Sequence, residues 1–357
     1  FPEICGYNIT SIRDVPIATS GIFDDNMNPK FDESVFKQIN SEIVLAPAWD
    51  LTRVWVNGDR VMNKERYNFF GGDYYGLHVL LSNYSQYKLV NPQLEWKLVC
   101  GNTVKMKGSY NSQKDFEIGD VKELGYISIN LPVVEKPETF LLNAVMTCNG
   151  HRVENLWPLF IYPRPGQFPQ KIGVYDPVNI FAGLNEIFDT IPFESENDIE
   201  GVSCVLASYL TPYIREYVKK GGRVFLVQRG KGQLPVEDVA FWREGMIRCY
   251  EHPVTDSIKY EHWLDDLRFF SLATDTVFDT ENVCNMGFDS VRPVMRRYDC
   301  RKWTVGDYML QIKLGEGTII ASTLRFEGNM GKQPLGIKNN NFGLWLLNSI
   351  LRFLVSE

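Results

Sequence analysis

The sequence has little of what metal and cofactor sites are built from. It holds only four histidines in 357 residues, and its seven cysteines (Cys5, Cys100, Cys148, Cys204, Cys249, Cys284, Cys300) include no CxxC pair. A zinc site needs several such ligands within short reach, so no metal is expected and the thiols read as buried or idle groups. The odd count also argues against a complete disulfide framework, although one bridge remains open. Positive charge is in deficit as well, with 37 Lys and Arg against 44 Asp and Glu and a net charge of -7. That argues against a nucleic-acid partner, whose phosphates require a basic stripe, and points to neutral ligands. No apolar run nears the roughly 18 residues that span a bilayer, so no membrane partner is expected. The chain opens without a basic n-region or apolar h-region. FPEICGYNIT reads as an amphipathic turn running into a strand, as in a chain cut from something larger. Internal repeats and low-complexity segments are also missing.

What is present is a well-packed composition, 44% hydrophobic and 13% aromatic, over a length that implies two or three domains. Residues 1–45 hold one strand (GYNITSIRDVPI) and one short helix (DESVFKQINSEI) capped by Asp32 or Ser34, too little to bury a core alone. Residues 46–163 change to short strands. In LEWKLVC, Leu94, Trp96, Leu98 and Cys100 share a face; in TFLLNAVMTC, Phe140, Leu142, Ala144, Met146 and Cys148 do. Such alternation predicts an antiparallel β-sandwich of immunoglobulin-like size. Residues 164–169 form a proline-rich linker. From 170 to 357, strands (KIGVYD, GVSCVLASYL, RVFLVQRG) alternate with helices (GLNEIFDTI, TPYIREYVKKGG), predicting an α/β domain with a mainly parallel sheet. DYMLQIKLGEGTIIASTL predicts a hairpin turned at Gly315-Glu316-Gly317, and FGLWLLNSILRFL an apolar helix packed on the sheet.

Taken together, these stretches resemble the C-terminal region of family 2 glycoside hydrolases of the β-galactosidase type. Gly21-Ile22-Phe23-Asp24 and Asn28-Pro29-Lys30 resemble the end of the catalytic barrel. VLLSNYSQYKLVNPQLEWKLV and ENLWPLFIYP resemble the sandwich that follows it. YLTPYIREYVKKGGRVFLVQ, RYDCRKW and ASTLRFEG are similar to the glutamine-amidotransferase-like domain appended to some relatives. The resemblance implies an exported or periplasmic parent, an upstream catalytic barrel as partner, carbohydrate contact, an oligomer as one option, and no cofactor. It does not bring the chemistry with it. Family 2 hydrolysis needs two carboxylates about 5 Å apart, which lie upstream of this region in the family, and Thr10-Ser11-Ile12 stands where some relatives carry Thr-Glu-Phe.

An amidotransferase-type site needs a cysteine on a strand-to-helix elbow; RVFLVQ runs instead into Arg229-Gly230-Lys231-Gly232, which lacks either nucleotide-fingerprint spacing. No catalytic residue is assigned. Gln228, Arg229 and His252 are candidate cleft residues at the carboxyl ends of strands, with a structural role for the histidine as the alternative. Tyr298, Asp299, Arg301 and Trp303 form the densest charged and aromatic stretch and are candidate carbohydrate-binding residues, with an exposed, ion-paired strand as the alternative. Asn8-Ile-Thr10 and Asn83-Tyr-Ser85 fit the glycosylation sequon. Three functions follow for testing: an accessory region of a glycosidase, a stand-alone carbohydrate-binding module, and an independent hydrolase or amidotransferase.

Overall fold

The computed structural model describes residues 8–9, 11–15, 20–49, 65–194, 201–239, 245–259, 261, 266–269, 271–299, 303–328 and 335–356. The chain forms two compact units that interleave in sequence: Phe1–Asp50, Gly72–Pro132 and Thr139–Leu159 in the first, Leu51–Gly71, Val133–Glu138 and Phe160–Glu357 in the second. Among the described residues, no helix is long and apolar enough to cross a membrane.

The N-terminal elements are α1 (Glu33–Ile39), capped by the Asp32 carboxylate accepting from Ser34 N–H, and β1 (Ile43–Ala48). Next come β2 (Asn68–Phe70), β3 (Tyr74–Asn83), β4 (Gln93–Cys100), β5 (Thr103–Asn111), β6 (Asp120–Asn130), β7 (Glu138–Cys148) and β8 (His151–Tyr162). In the first unit one sheet has the order β1-β3-β6, and β8, β7, β4 and β5 neighbour one another in a second. Strand β3 alternates strictly, with Tyr75, Leu77, Val79 and Leu81 buried between half-exposed neighbours. The face of β7 expected from its alternation, Phe140 to Cys148, is the buried one. Each such large side chain contributes about 1.5–3 kcal/mol on leaving water. The sheets stack closely: a Cβ at Gly125 of β6 would come 2.9 Å from the Tyr110 ring of β5, so only glycine allows that approach. The Asn83 sequon is closed to modification in the folded state. Its side chain is fully buried, donating to the Tyr87 and Phe116 carbonyls and accepting from Ser85.

In the second unit, the last residues of β8 pair in parallel with β2, Asn68 with Phe160 to Phe70 with Tyr162. The chain continues through β9 (Ile172–Tyr175), β10 (Thr190–Pro192), β11 (Cys204–Ala207), α2 (Pro212–Lys219), β12 (Arg223–Val227), β13 (Val236–Asp238) and β14 (Gly245–Cys249). After these come α3 (Asp266–Phe269), β15 (Thr276–Phe278), α4 (Thr280–Cys284), β16 (Ser290–Asp299), β17 (Thr304–Leu314), β18 (Gly317–Ser322) and α5 (Asn341–Ser356). Thr211 caps α2 through its hydroxyl, with Pro212 in the first turn.

The main path of the large sheet is β10-β9-β11-β12-β18-β17-β15-β13, with β16 paired to β17 and β14 to β16. The first five strands are parallel and the others antiparallel. The expected mainly parallel sheet is therefore corrected to a mixed one. The β17–β18 hairpin reverses direction at Gly315-Glu316, and the strands beyond it pair antiparallel. The helix expected over GLNEIFDTI is also corrected: Gly183 takes a left-handed φ of 80°, only the 3-10 turn Leu184–Glu186 follows, and β10 begins at Thr190.

Strands β11, β12 and β18 read as continuous apolar runs because both faces are buried, as in doubly wound sheets. Cys204, Leu206, Phe225, Val227 and Ile320 face the core that includes α5; Val205, Ala207, Val224, Leu226, Ile319 and Ala321 face the core that includes α2.

Candidate functional site

Ligands in doubly wound sheets sit beyond the carboxyl ends of the strands, where the order reverses. Numbered from β9, the parallel half has the order 2-1-3-4-5, so the reversal lies between β9 and β11. Most polar groups at that edge are committed to the fold. The Asp176 carboxylate accepts from Ile180 and Phe181 N–H at 2.9 and 2.6 Å. Gln228, buried after β12, donates to the Gly230 and Leu234 carbonyls and accepts from Leu234 N–H at 3.0 Å. That amide therefore ties its own loop. Arg229 is ion-paired with Glu327. Beside them, burial and the neighbouring Arg229 charge lower the pKa of Arg325. Ser208, at the end of β11, is buried with no hydrogen-bond partner for its hydroxyl among the described residues.

Cys204 of β11 and Cys249 of β14 are held as thiols. Burial alone pushes the Cys204 thiol up to about 12, and burial likewise raises Cys249 to about 12. A thiol of such pKa is a poor nucleophile at neutral pH. Native-state alkylation at pH 8 should therefore mark the exposed Cys284 and leave Cys204 and Cys249 unmodified until urea is added. Peptide mapping by mass spectrometry checks this, and native labelling of Cys204 would contradict it.

The second group of sequence candidates lies on the antiparallel half. Tyr298 and Asp299 are consecutive on β16 and so point to opposite faces. Asp299 is buried with Arg297, 3.5 Å from its guanidinium. Tyr298 belongs instead to a cluster with Arg248, Tyr250 and Arg296. Arg296 donates to Tyr250 at 3.2 Å and forks onto Asp307, Nε to Oδ1 and Nη2 to Oδ2 both at 3.0 Å. Asp307 is fully buried and also accepts from the Thr280 hydroxyl. Burial pushes the Tyr298 phenol up, but hydrogen bonds from Tyr250 and Arg248 and the nearby arginine charges outweigh it and lower its pKa. Tyr250, raised by burial and by donating to Tyr298, moves the other way. Trp303, 91% exposed with φ 56°, stands in the β16–β17 connection, where its N–H bonds the Asp299 carbonyl. Arg301 lies outside the described residues.

His252 follows β14. Its Nδ1 accepts from Val254 N–H at 3.2 Å and its ring packs 4.6 Å from that of Phe353. It lines a cleft of about 390 Å³ beside β16 and β17. Strands β18, β17 and β16 lie between β14, which it follows, and β12, which Gln228 and Arg229 follow, so the three cleft candidates do not converge. Sequence reading missed Arg248, Tyr250, Arg296 and Asp307. Arg248/Tyr250 and Arg296/Tyr298 are each two residues apart, a period-2 signal in polar residues, whereas nothing marked Asp307.

These features define a β-rich, multi-sheet protein whose second unit joins a doubly wound parallel half to an antiparallel arginine–tyrosine face. A family model described as a domain of unknown function (DUF8488) matches residues 75–163. No curated protein matches the sequence. Among solved structures, a sporulation control protein from Bacillus subtilis is similar at 8% identity and TM-score 0.26, over 35% of this chain and 51% of that one. A family 123 glycoside hydrolase from Clostridium perfringens is similar at 10% identity and TM-score 0.23, over 52% and 38%. A β-glucuronidase from glycoside hydrolase family 2 is similar at 11% identity and TM-score 0.22, over 45% and 19%. The chain spans about half the length of the first of these and less of the other two.

Proposed function

We propose that this chain acts as an accessory region of a glycoside-hydrolase-type protein, contacting carbohydrate or an upstream catalytic barrel rather than performing hydrolysis. In this reading the first unit is the immunoglobulin-like sandwich, and the second keeps an amidotransferase-like strand order without its chemistry. The observation that carries the proposal is Gln228. It occupies the carboxyl end of β12, where a nucleophile elbow would stand, and its amide is spent on the Gly230 and Leu234 backbone. The motif resemblance over the sandwich and the α/β stretches supplies the glycosidase context.

The expected outcome is no turnover by this chain on a nitrophenyl-glycoside panel and no release of ammonia from glutamine. Turnover abolished by a substitution at a residue of this chain would overturn the proposal. The exposed Trp303 favours carbohydrate contact: Trp303→Ala should weaken any oligosaccharide binding without shifting the melting temperature.

A further inference from the structure

The cleft after β14 contains a group that the fold does not explain. Gln311 of β17 is 6% exposed, lines the cleft, and its side-chain amide makes no hydrogen bond to the described residues. Its neighbours Leu310 and Ile312 point to the opposite face, into the core that includes α2, while Gln311 shares the cleft face with Lys313. Its amide atoms are not among the fully enclosed unpaired ones, so they open onto the cleft, where bonds to water or to a ligand remain available to them. Such a group facing a cleft marks a position where a ligand supplies the missing bonds.

The walls indicate the ligand's charge. Arg292 opposes Gln311 in register and lines the cleft, its guanidinium exposed and paired with no carboxylate of the described residues. Lys313, two residues along β17 from Gln311, also lines the cleft, with Nζ donating to Thr318 Oγ1 at 2.7 Å. His252 also lines the cleft, its Nδ1 accepting from Val254 N–H at 3.2 Å. Glu251 supplies the one carboxylate of the lining. A second hollow of about 370 Å³ shares Arg292 and Glu251 and adds Arg248 and Tyr250. Cations therefore dominate this place in a chain whose net charge is -7, against the sequence-level expectation of neutral ligands. Guanidinium and ammonium donors suit carboxylate or phosphate oxygens, the Gln311 amide can both donate to and accept from a hydroxyl, and the volume fits a small ligand.

We propose that this cleft binds a monosaccharide-sized molecule carrying an oxyanion, either a sugar acid or a sugar phosphate. The oxyanion part stands on the cleft alone; the sugar part rests on the accessory, carbohydrate-contacting reading above. Arg292 and Lys313 hold the oxyanion, Gln311 reads an adjacent hydroxyl, and Phe353 forms an apolar wall.

Titration calorimetry of the full chain with galacturonic acid, galactose 6-phosphate and galactose tests this. At least one of the two anionic sugars should bind at least tenfold tighter than galactose, and the tighter of them identifies the oxyanion. Arg292→Ala, which alters an exposed side chain, and Gln311→Leu, which keeps a buried apolar volume, should each weaken that binding about tenfold or more. Ligand should raise the melting temperature of the wild type but not of the variants. Equal binding of galactose would overturn the oxyanion assignment while leaving the carbohydrate reading intact. Binding unchanged by both substitutions, or no saturable heat from any of the three sugars, would overturn the site itself.

Discussion

Replacing Asp307 by alanine is expected to destabilise the protein by about 3–5 kcal/mol, the cost of removing one partner from a buried ion pair. The carboxylate has no exposed surface, while its partner Arg296 retains 23% side-chain exposure. The loss strips the guanidinium of both forked bonds at 3.0 Å and the Thr280 hydroxyl of its acceptor. Thr280 opens α4, so β16, β17 and that helix should loosen together. In a unit of this size each kcal/mol lowers the midpoint by about 2–4 °C, giving a fall in Tm on the order of 10 °C. Asp307→Asn keeps shape and an acceptor oxygen but no charge, and should fall between the two. Urea titration of the three proteins checks the order. A loss below about 1 kcal/mol for the alanine variant would place the pair with solvent-screened surface bridges instead.

Phe225→Ala should cost a similar amount, about 3–5 kcal/mol, for a different reason. Phe225 sits on β12, between β11 and β18 in the parallel half, fully buried in the core that includes α5. Its ring meets Phe326 edge to face at 5.1 Å. Truncation removes the transfer energy of the ring, the aromatic pair and the contacts lining the resulting cavity. The surrounding strands are hydrogen-bonded on both sides and cannot close over the hole. Phe225→Leu, which leaves a smaller cavity, should cost less than half as much. The measurement is the urea midpoint at constant slope; a changed slope would mean that the unfolded or native state itself had altered.

Much of the fold was legible because it is encoded locally. The alternation in TFLLNAVMTC fixes which face of β7 is buried. Thr211, Pro212 and the following apolar spacing define α2. Gly315-Glu316-Gly317 turns the β17–β18 hairpin, and the unbroken apolar runs of β11 and β12 announce a sheet covered on both faces. Each of these signals lies within one element or one turn, where period and turn chemistry act directly.

The site was less legible. Asp299 and Tyr298 were grouped by proximity in sequence, and a strand sends neighbours to opposite faces. Gln228 looked like a cleft residue because it ends a strand, yet its length lets it fold back on its own loop.

By itself, then, the sequence determined the β-rich character, the two-faced parallel strands and their turns and caps. Tertiary structure alone decided how the antiparallel half is registered. Val294 and Met295 share one core although adjacent, as do Tyr308 and Met309, because register shifts interrupt the β16–β17 ladder between Pro293 and Arg296. A bulge flips every side chain beyond it to the other face, so no periodicity read along one strand can foresee that Arg296 meets Asp307 or that Gln311 faces a cleft. Those pairings follow from which strands lie side by side, a choice made by many weak contacts summed over the whole sheet.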